Sequence, residues 1–333
     1  MICEEWIVAS PNRLDVFLRE RIPELLSKKS EVVSAKGEST VSNSKIRRLI
    51  VAGVVQVNKR QCRIPAYDLH PGEKVTVQID EQKFFFEKQP DDIKFEVTEN
   101  SVLYEDDSII VVNKPAFFPT EETITGNRDN LHDAVLRYLW KKNPALRNQP
   151  YVGIMHRLDR ETSGVILFTK TRAVNGAVHD MFENHTAQKV YRAVCTRKPQ
   201  LGKAQVGEVP EKFSIDKPIG RISASSAACK MGVVETVNHR TGNIKEIQQA
   251  RTDCSLIGKK GNRYYIEARP HTGRTHQIRV HLSWYGLPLV GDELYGGVEG
   301  ERIMLHAVSL TFPHPVTKEV VCVTAPLPEG FEC

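Results

Sequence analysis

The sequence predicts an α+β protein of two domains: a small α/β domain first, then a larger one that mixes strands and helices. Three observations carry this. At 333 residues the chain is long enough for two domains, at least one able to bury a sizeable core. Short apolar or alternating runs bounded by turn residues, at Leu103–Lys114 and Lys189–Val194, have the spacing of strands. Other stretches, such as Asp129–Trp140, repeat apolar residues at helical intervals. The boundaries expected are 1–80 for the first domain, 81–95 for a linker and 96–333 for the second domain.

In the first domain, Ser27–Ser42 is polar, aperiodic and rich in Ser and Lys, so it reads as an exposed loop. Ser44 is a candidate N-cap for a helix that places Ile46, Leu49 and Ile50 on one face and Lys45, Arg47 and Arg48 largely on the other. Gly53 can end that helix, and Val55 and Val57 alternate into a strand before a turn at Asn58-Lys59. From Val41 to Arg63 six residues are basic (Lys45, Arg47, Arg48, Lys59, Arg60, Arg63) and none is acidic. Such a stretch suits contact with phosphates, and on charge alone it suits a solvated face equally well.

The linker holds Phe84, Phe85 and Phe86 among charges, then Pro90-Asp91-Asp92. In the second domain, Leu103–Lys114 reads as strand, turn over Glu105–Ser108, and strand. Asp129–Trp140 reads as a helix with Leu131, Ala134, Val135 and Leu139 inward. Gly164 opens the apolar strand Val165–Phe168, and Val174, Ala177, Val178, Met181 and Phe182 follow at helical spacing. Lys189–Val194 alternates with period two, placing Lys189, Tyr191 and Ala193 on one face. Thr275 is a candidate N-cap for a helix that shares Ile278, Leu282 and Tyr285 on one face, puts Arg279 one turn in, and stops at Gly286 and Pro288.

Composition excludes more than it selects. The longest apolar stretches run five to seven residues, too short to span a bilayer, so no membrane partner is expected. Glu4 and Glu5 with no apolar segment behind them argue against a signal peptide. The seven cysteines (3, 62, 195, 229, 254, 322 and 333) are odd in number and never spaced C-x-x-C, so reduced thiols and a cytoplasmic location are expected. His271, His276 and His281 stand five apart; on a helix that spacing turns about 140° net, so His276 and His281 diverge and no metal site is expected. A net charge of +5 is too mild to call for nucleic acid by itself.

The most informative string is His156-Arg157-Leu158-Asp159-Arg160-Glu161-Thr162-Ser163-Gly164, which sets one carboxylate between two arginines at the mouth of a buried strand. A surface Arg-Asp-Arg salt bridge is the bland reading. However, the string resembles the active-site signature of RluA-type RNA pseudouridine synthases. Leu103–Pro115, Lys189-x-Tyr191-x-Ala193, Thr272–Leu282, Gly291-Asp-x-x-Tyr-Gly296, Met304–Ala307 and Phe312-x-His-Pro315 extend that resemblance over about residues 96 to 330. It lapses at Ala116–Thr120, where the family's usual glycine and histidine-proline pair are absent. Arg13–Leu18, Ser44–Asn58 and Pro71–Val75 resemble a small S-four-type RNA-binding module, with a longer connection than usual at 27–42.

The resemblance implies a cofactor-free isomerase acting on structured RNA, with an antiparallel sheet crossed by a cleft that holds Asp159. Converting uridine to pseudouridine breaks the bond from ribose to the ring nitrogen, rotates the uracil and rejoins it through carbon five. No outside atom or electron is needed. An ionised carboxylate is needed, as nucleophile or as base on the sugar, and Asp159 is the candidate. Arg279 is its implied partner, Tyr191 and Ile278 would flank the base, and Arg157 would fill the gap left when the uridine flips out. Large-subunit ribosomal RNA is the first target expected, ahead of tRNA, and the enzyme is expected to be a monomer. The rival reading is a non-catalytic RNA-binding or ribosome-assembly protein retaining the fold; intact Asp159, Tyr191 and Arg279 speak against it.

Overall fold

The computed structural model describes residues 2–29, 43–79, 93–122, 128–198, 208–222, 230–234 and 247–333. The chain divides into two compact units, Met1–Asp92 with Glu122–Asp129, and Ile93–Glu121 with Asn130–Cys333.

The first unit contains β1 (Ile2–Ile7), β2 (Asn12–Arg13), α1 (Leu14–Lys29), α2 (Asn43–Ala52), β3 (Val55–Val57), β4 (Arg60–Gln61), β5 (Asp68–Leu69) and β6 (Lys74–Ile79). Its main sheet is antiparallel in the order β1-β6-β3-β4. Leu14, Leu18 and Ile22 of α1, Ile46 and Ile50 of α2, and Val55, Val75 and Val77 of the sheet close one core. The helix and hairpin read from the sequence are both present: Gly53 takes φ +79 at the helix end, and Asn58 and Lys59 turn the β3–β4 hairpin with φ 50 and 67. Two expectations need correction. Helix α1 runs through Lys29, so Ser27–Lys29 are helical and only the rest of the expected loop, 30–42, lies outside the described residues. Helix α2 already includes Asn43, so Ser44 stands inside it and is not its N-cap.

The second unit contains β7 (Val102–Glu105), β8 (Ile109–Lys114), α3 (Leu131–Lys142), β9 (Gly153–Ile154), β10 (Ser163–Thr169), α4 (Asn175–Glu183), β11 (Gln188–Thr196), β12 (Lys212–Asp216), β13 (Ile219–Arg221), β14 (Met231–Val233), β15 (Arg251–Lys260), β16 (Arg263–Pro270), α5 (Gln277–Trp284), β17 (Leu305–Pro313) and β18 (Val320–Thr324). Ten strands form one sheet with the path β12-β15-β16-β11-β17-β10-β8-β7; β18 pairs with β17 and β9 with β10. All pairings are antiparallel except β10 with β17. The unit is therefore α+β with a mostly antiparallel sheet.

Continuous apolar runs mark the strands buried on both faces. Ile110, Val112, Ile166 and Phe168 face a core shared with Leu131, Ala134, Val135 and Leu139 of α3. Their alternates Ile109, Val111, Val165 and Leu167 face a second core with Val178 and Met181 of α4. Helix α3 is capped by the Asn130 side chain, which accepts from Asp133 N. A third core joins β11, β15 and β16 to Ile278 and Leu282 of α5. At the β10–β17 contact Gly164 has φ +113, and a Cβ there would run into the Ala307 carbonyl. That glycine lets the strand carrying the Asp159 loop lie against β17.

Candidate active site

Asp159 sits on the loop between β9 and β10, and its flanks are fixed by the segment after β8. Thr120 Oγ1 donates to the Leu158 carbonyl at 2.8 Å, and Leu158 N donates back to Thr120 Oγ1 at 3.3 Å. The fully buried Lys114 donates to three carbonyls: Pro115 at 2.9 Å, Phe118 at 2.7 Å and Arg160 at 3.0 Å. Desolvation pulls the pKa of this lysine down to about 7, against the opposing charges of Glu161 and Asp159. Residues on both sides of Asp159 are thus gripped by 114–120, part of which departs from the family pattern. Of the loop 116–130, residues 123–127 lie outside the described ones.

Arg279 reaches Asp159 with Nη1 at 3.5 Å from Oδ2. Its tighter partner is Asp292, which accepts from Nε at 2.7 Å and from Nη2 at 2.9 Å. Arg279 is 5% exposed and Asp292 not at all. Burial works against the guanidinium charge, but the hydrogen bonds and charge of Asp292, then of Asp159 and Glu161, outweigh it and raise the pKa above the ordinary arginine value. The Tyr295 ring lies 5.2 Å from the guanidinium carbon. Asp292 and Tyr295 belong to the Gly291-Asp-x-x-Tyr-Gly296 string. Sequence reasoning matched that string to the family without assigning it a task, and it was the available signal for both residues.

His276 also faces Asp159, with Nε2 at 3.9 Å from Oδ2, while its Nδ1 is 2.8 Å from the Tyr295 hydroxyl. That hydroxyl already accepts from Met231 N at 3.1 Å, so its own hydrogen suits His276 Nδ1, leaving the imidazole proton on Nε2 toward Asp159. Burial lowers the His276 pKa, against the pull of Asp159, so the ring is neutral at pH 7. The expected N-cap at Thr275 is corrected: His276 takes that place with φ 56 and ψ 21, and Arg279 falls in the first turn of α5. Gln277 ties down the preceding loop instead, its Oε1 accepting from Thr272 Oγ1 at 2.6 Å and Arg274 N at 3.1 Å. His281 turns elsewhere, to Thr252 Oγ1 at 2.9 Å and the Lys217 carbonyl at 3.0 Å. Among the described residues no group of three or more His, Cys, Asp or Glu is placed to hold a metal ion.

A cavity of about 480 Å³ brings Asp159, Tyr191, Ile278 and Arg279 together, with Arg157 and Lys189 also on its wall. Its size falls within the roughly 300–1,000 Å³ usual for small-molecule sites. Tyr191, half-buried on β11, has its phenol pKa raised by burial and then by the Asp159 charge, so it stays protonated at neutral pH. Ile278 is 6% exposed and presents an apolar surface. Arg157 is 67% exposed and pairs with Glu121 at 2.6 Å. His156 accepts from Leu167 N at 2.9 Å and packs on Phe182, a strut under the loop.

The basic residues of the first unit are a separate set. Lys59, Arg60 and Arg63 are exposed, and Arg47 pairs with Asp15 at 3.3 Å. The side chains of Lys45 and Arg48 lie outside the described ones.

The profile of a family described as RNA pseudouridylate synthase matches residues 108–284, more than half of the chain and the stretch from β8 through α5. The chain belongs to this family. A ribosomal large subunit pseudouridine synthase D of Neisseria meningitidis is 31% identical over 324 residues, spanning 92% of this chain and 78% of that protein. An uncharacterized RNA pseudouridine synthase of Synechocystis is 30% identical over 328 residues, spanning 96% of this chain and 87% of that protein. The solved structure of human RNA pseudouridylate synthase domain containing 1 superposes with a TM-score of 0.52 at 26% identity, covering 71% of this chain and 87% of that one. As an RNA pseudouridylate synthase the protein is an isomerase that turns uridine in RNA into pseudouridine. Among the described residues no helix is long and apolar enough to cross a membrane.

Proposed function

We propose that the chain isomerises uridine in large-subunit ribosomal RNA, with Asp159 as the catalytic carboxylate. The observation that carries the site is the approach of the Arg279 guanidinium to Asp159 at 3.5 Å inside a cavity that Tyr191 also lines. In this reading Arg279 orients Asp159, and Asp159 acts on the ribose, as nucleophile or as base. Tyr191 and Ile278 hold the detached uracil away from water, and Arg157 enters the stack as the uridine leaves it. The ribosomal target rests on the likeness to the large-subunit pseudouridine synthase of Neisseria, more than three quarters of whose length this chain spans. Residues 1–80 act as an RNA-binding domain through Lys45, Arg47, Arg48, Lys59, Arg60 and Arg63, and the protein works as a cytoplasmic monomer without a cofactor.

The test is chemical mapping of pseudouridine in total RNA from cells with and without the gene, complemented by wild type or by Asp159→Asn. Loss of a mark in large-subunit ribosomal RNA, restored by the wild type alone, is expected. A lost mark found only in tRNA replaces the target. Restoration by Asp159→Asn withdraws the catalytic assignment.

A further inference from the structure

Two cations on the cavity wall have no part in breaking or remaking the glycosidic bond. Lys189 stands two residues before Tyr191 on β11, half-buried, and its Nζ donates to the Thr272 carbonyl at 3.1 Å. Arg274 lines the same cavity, its Nε donating to the Gln249 carbonyl at 3.2 Å. Both take backbone carbonyls as partners; among the described residues neither has a carboxylate within ion-pair distance. Of the three carboxylates that line the cavity, Asp159 pairs with Arg279 and Glu121 with Arg157, and Glu183 lies beyond ion-pair distance of both Lys189 and Arg274.

A half-buried ammonium beside a guanidinium, with no counter-charge, costs free energy in the empty protein. Burial, then the charge of Arg274, hold Lys189 down to about 8. His156, half-buried, also feels Lys189 and is held down to about 3 by desolvation and then by Lys189 itself, hence neutral. The arrangement is also rigid before any ligand arrives. Buried Gln277 accepts from Thr272 Oγ1 at 2.6 Å and from Arg274 N at 3.1 Å, and its Nε2 donates to the Arg251 carbonyl at 2.9 Å and to Thr252 Oγ1 at 3.0 Å. At Gly273 a Cβ would stand 3.6 Å from Lys189 Nζ, so the missing side chain leaves the ammonium open to approach.

We infer that Lys189 and Arg274 form a phosphate-binding subsite for a backbone phosphodiester of the strand whose uridine enters the cavity. The inference rests on the reading of this cavity as the uridine site. A phosphodiester there supplies the counter-charge the protein lacks, and two charge-assisted hydrogen bonds fix the sugar relative to Asp159. Both residues are binding residues, since the reacting atoms lie at the Asp159 end.

The experiment uses the full chain with an unmodified transcript of large-subunit ribosomal RNA, in single turnover with enzyme in excess. Lys189→Met is expected to raise the half-saturating concentration about tenfold, the worth of one charge-assisted hydrogen bond. That rise should exceed any fall in the limiting rate. The slope of log affinity against log salt should become shallower by about 0.7 to 0.9 unit for each phosphate no longer neutralised. Wild-type affinity should decline as pH rises through about 8, where free Lys189 loses its proton, whereas Lys189→Arg should keep the affinity and lose this pH dependence. Arg274→Gln provides the second variant.

Titration of the full chain with uridine, uridine 3′-monophosphate and uridine 5′-monophosphate separates the subsite from the choice of RNA. One nucleotide should bind about tenfold better than the nucleoside in the wild type, with no gain in Lys189→Met. Wild-type protein that gains nothing from either phosphate overturns the subsite, as does a Lys189→Met variant with unchanged half-saturation and salt slope. If the wild type leaves the transcript unmodified, the target reading falls, and the nucleotide titration still decides the subsite.

Discussion

Asp292→Asn separates the stability of the candidate site from its chemistry. The carboxylate is fully buried and accepts two bonds from Arg279, at 2.7 and 2.9 Å. The amide keeps the shape but offers one oxygen; its nitrogen would press N–H against guanidinium N–H. One charge-assisted bond is removed, about 1.5–3 kcal/mol. The guanidinium, 5% exposed, also loses its balancing charge. Together these place the cost at about 3–5 kcal/mol, the usual penalty for breaking a buried pair. Against a total of about 5–15 kcal/mol the variant remains folded, with a much lower urea midpoint. Freed from Asp292, Arg279 can close the 3.5 Å gap to Asp159, and a displacement of about 1 Å at a reacting group costs roughly a hundredfold in rate. The assay pairs urea unfolding with single-turnover tritium release from uridine labelled at carbon five. The control is the double variant Arg279→Met with Asp292→Leu, which removes both charges and should recover most of the stability while remaining inactive. Wild-type turnover by Asp292→Asn refutes the reasoning; so does a double variant no more stable than the single one.

Arg279→Lys should retain little turnover, because an ammonium cannot span both oxygens of Asp292 while facing Asp159; a wild-type rate would remove the fork from the mechanism. Lys114→Met leaves three carbonyls without their donor and should cost about 3 kcal/mol or more in urea unfolding, with activity falling as the Asp159 loop loosens. An unchanged midpoint would show that water replaces the ammonium. His156 is held down to about 3 and His306 to about 4, both chiefly by burial, so the unfolded chain binds more protons than the folded one below about pH 6.5. Stability is then full above that pH and falls on acidification, at most about 1.4 kcal/mol per pH unit for each histidine; a urea midpoint flat from pH 7 to 5 contradicts this. Deleting residues 1–92 should weaken RNA binding and make the salt slope shallower by about three to four units if the basic residues removed neutralise about four phosphates. Unchanged affinity and slope would make that stretch a solvated face.

Strands and helices whose own residues decide their burial were legible in the sequence. Leu131, Ala134, Val135 and Leu139 are all buried on α3, and the apolar runs of β8 and β10 are both interior strands. What failed were local inferences overruled by tertiary structure. Ser44 and Thr275 have the chemistry of N-caps, yet α2 already includes Asn43, and before α5 a left-handed His276 takes the N-cap place. The loop there is tied by Gln277, whose hydrogen bonds reach back to Thr272 and Arg274, and no capping rule looks for a side chain inside the helix serving the loop before it. Asp159, Tyr191, Ile278 and Arg279 were legible through motifs, and the fold brings them to one cavity. Asp292 was not read because pairing of buried charges has no sequence period: it stands 13 residues from Arg279, off any helical or strand repeat.

The second carboxylate changes what the first can do. If Asp159 were the sole partner of Arg279, the fork would close on it and occupy both carboxylate oxygens, leaving neither free to approach a sugar. Asp292 instead takes Nε and Nη2, and Tyr295 covers the guanidinium from 5.2 Å, so Nη1 is left toward Asp159 at 3.5 Å. At that separation no short hydrogen bond forms, which leaves the carboxylate oxygens available to a substrate. The loop side is held with equal care: Lys114 and Thr120 take the carbonyls of Arg160 and Leu158, on either side of Asp159, and leave the side chain between them unclaimed. A carboxylate oriented and loosely paired on a cavity wall is what a nucleophile or a sugar base requires. The same feature predicts that shortening the Arg279–Asp159 distance, as Asp292→Asn should, costs activity by satisfying Asp159 too well.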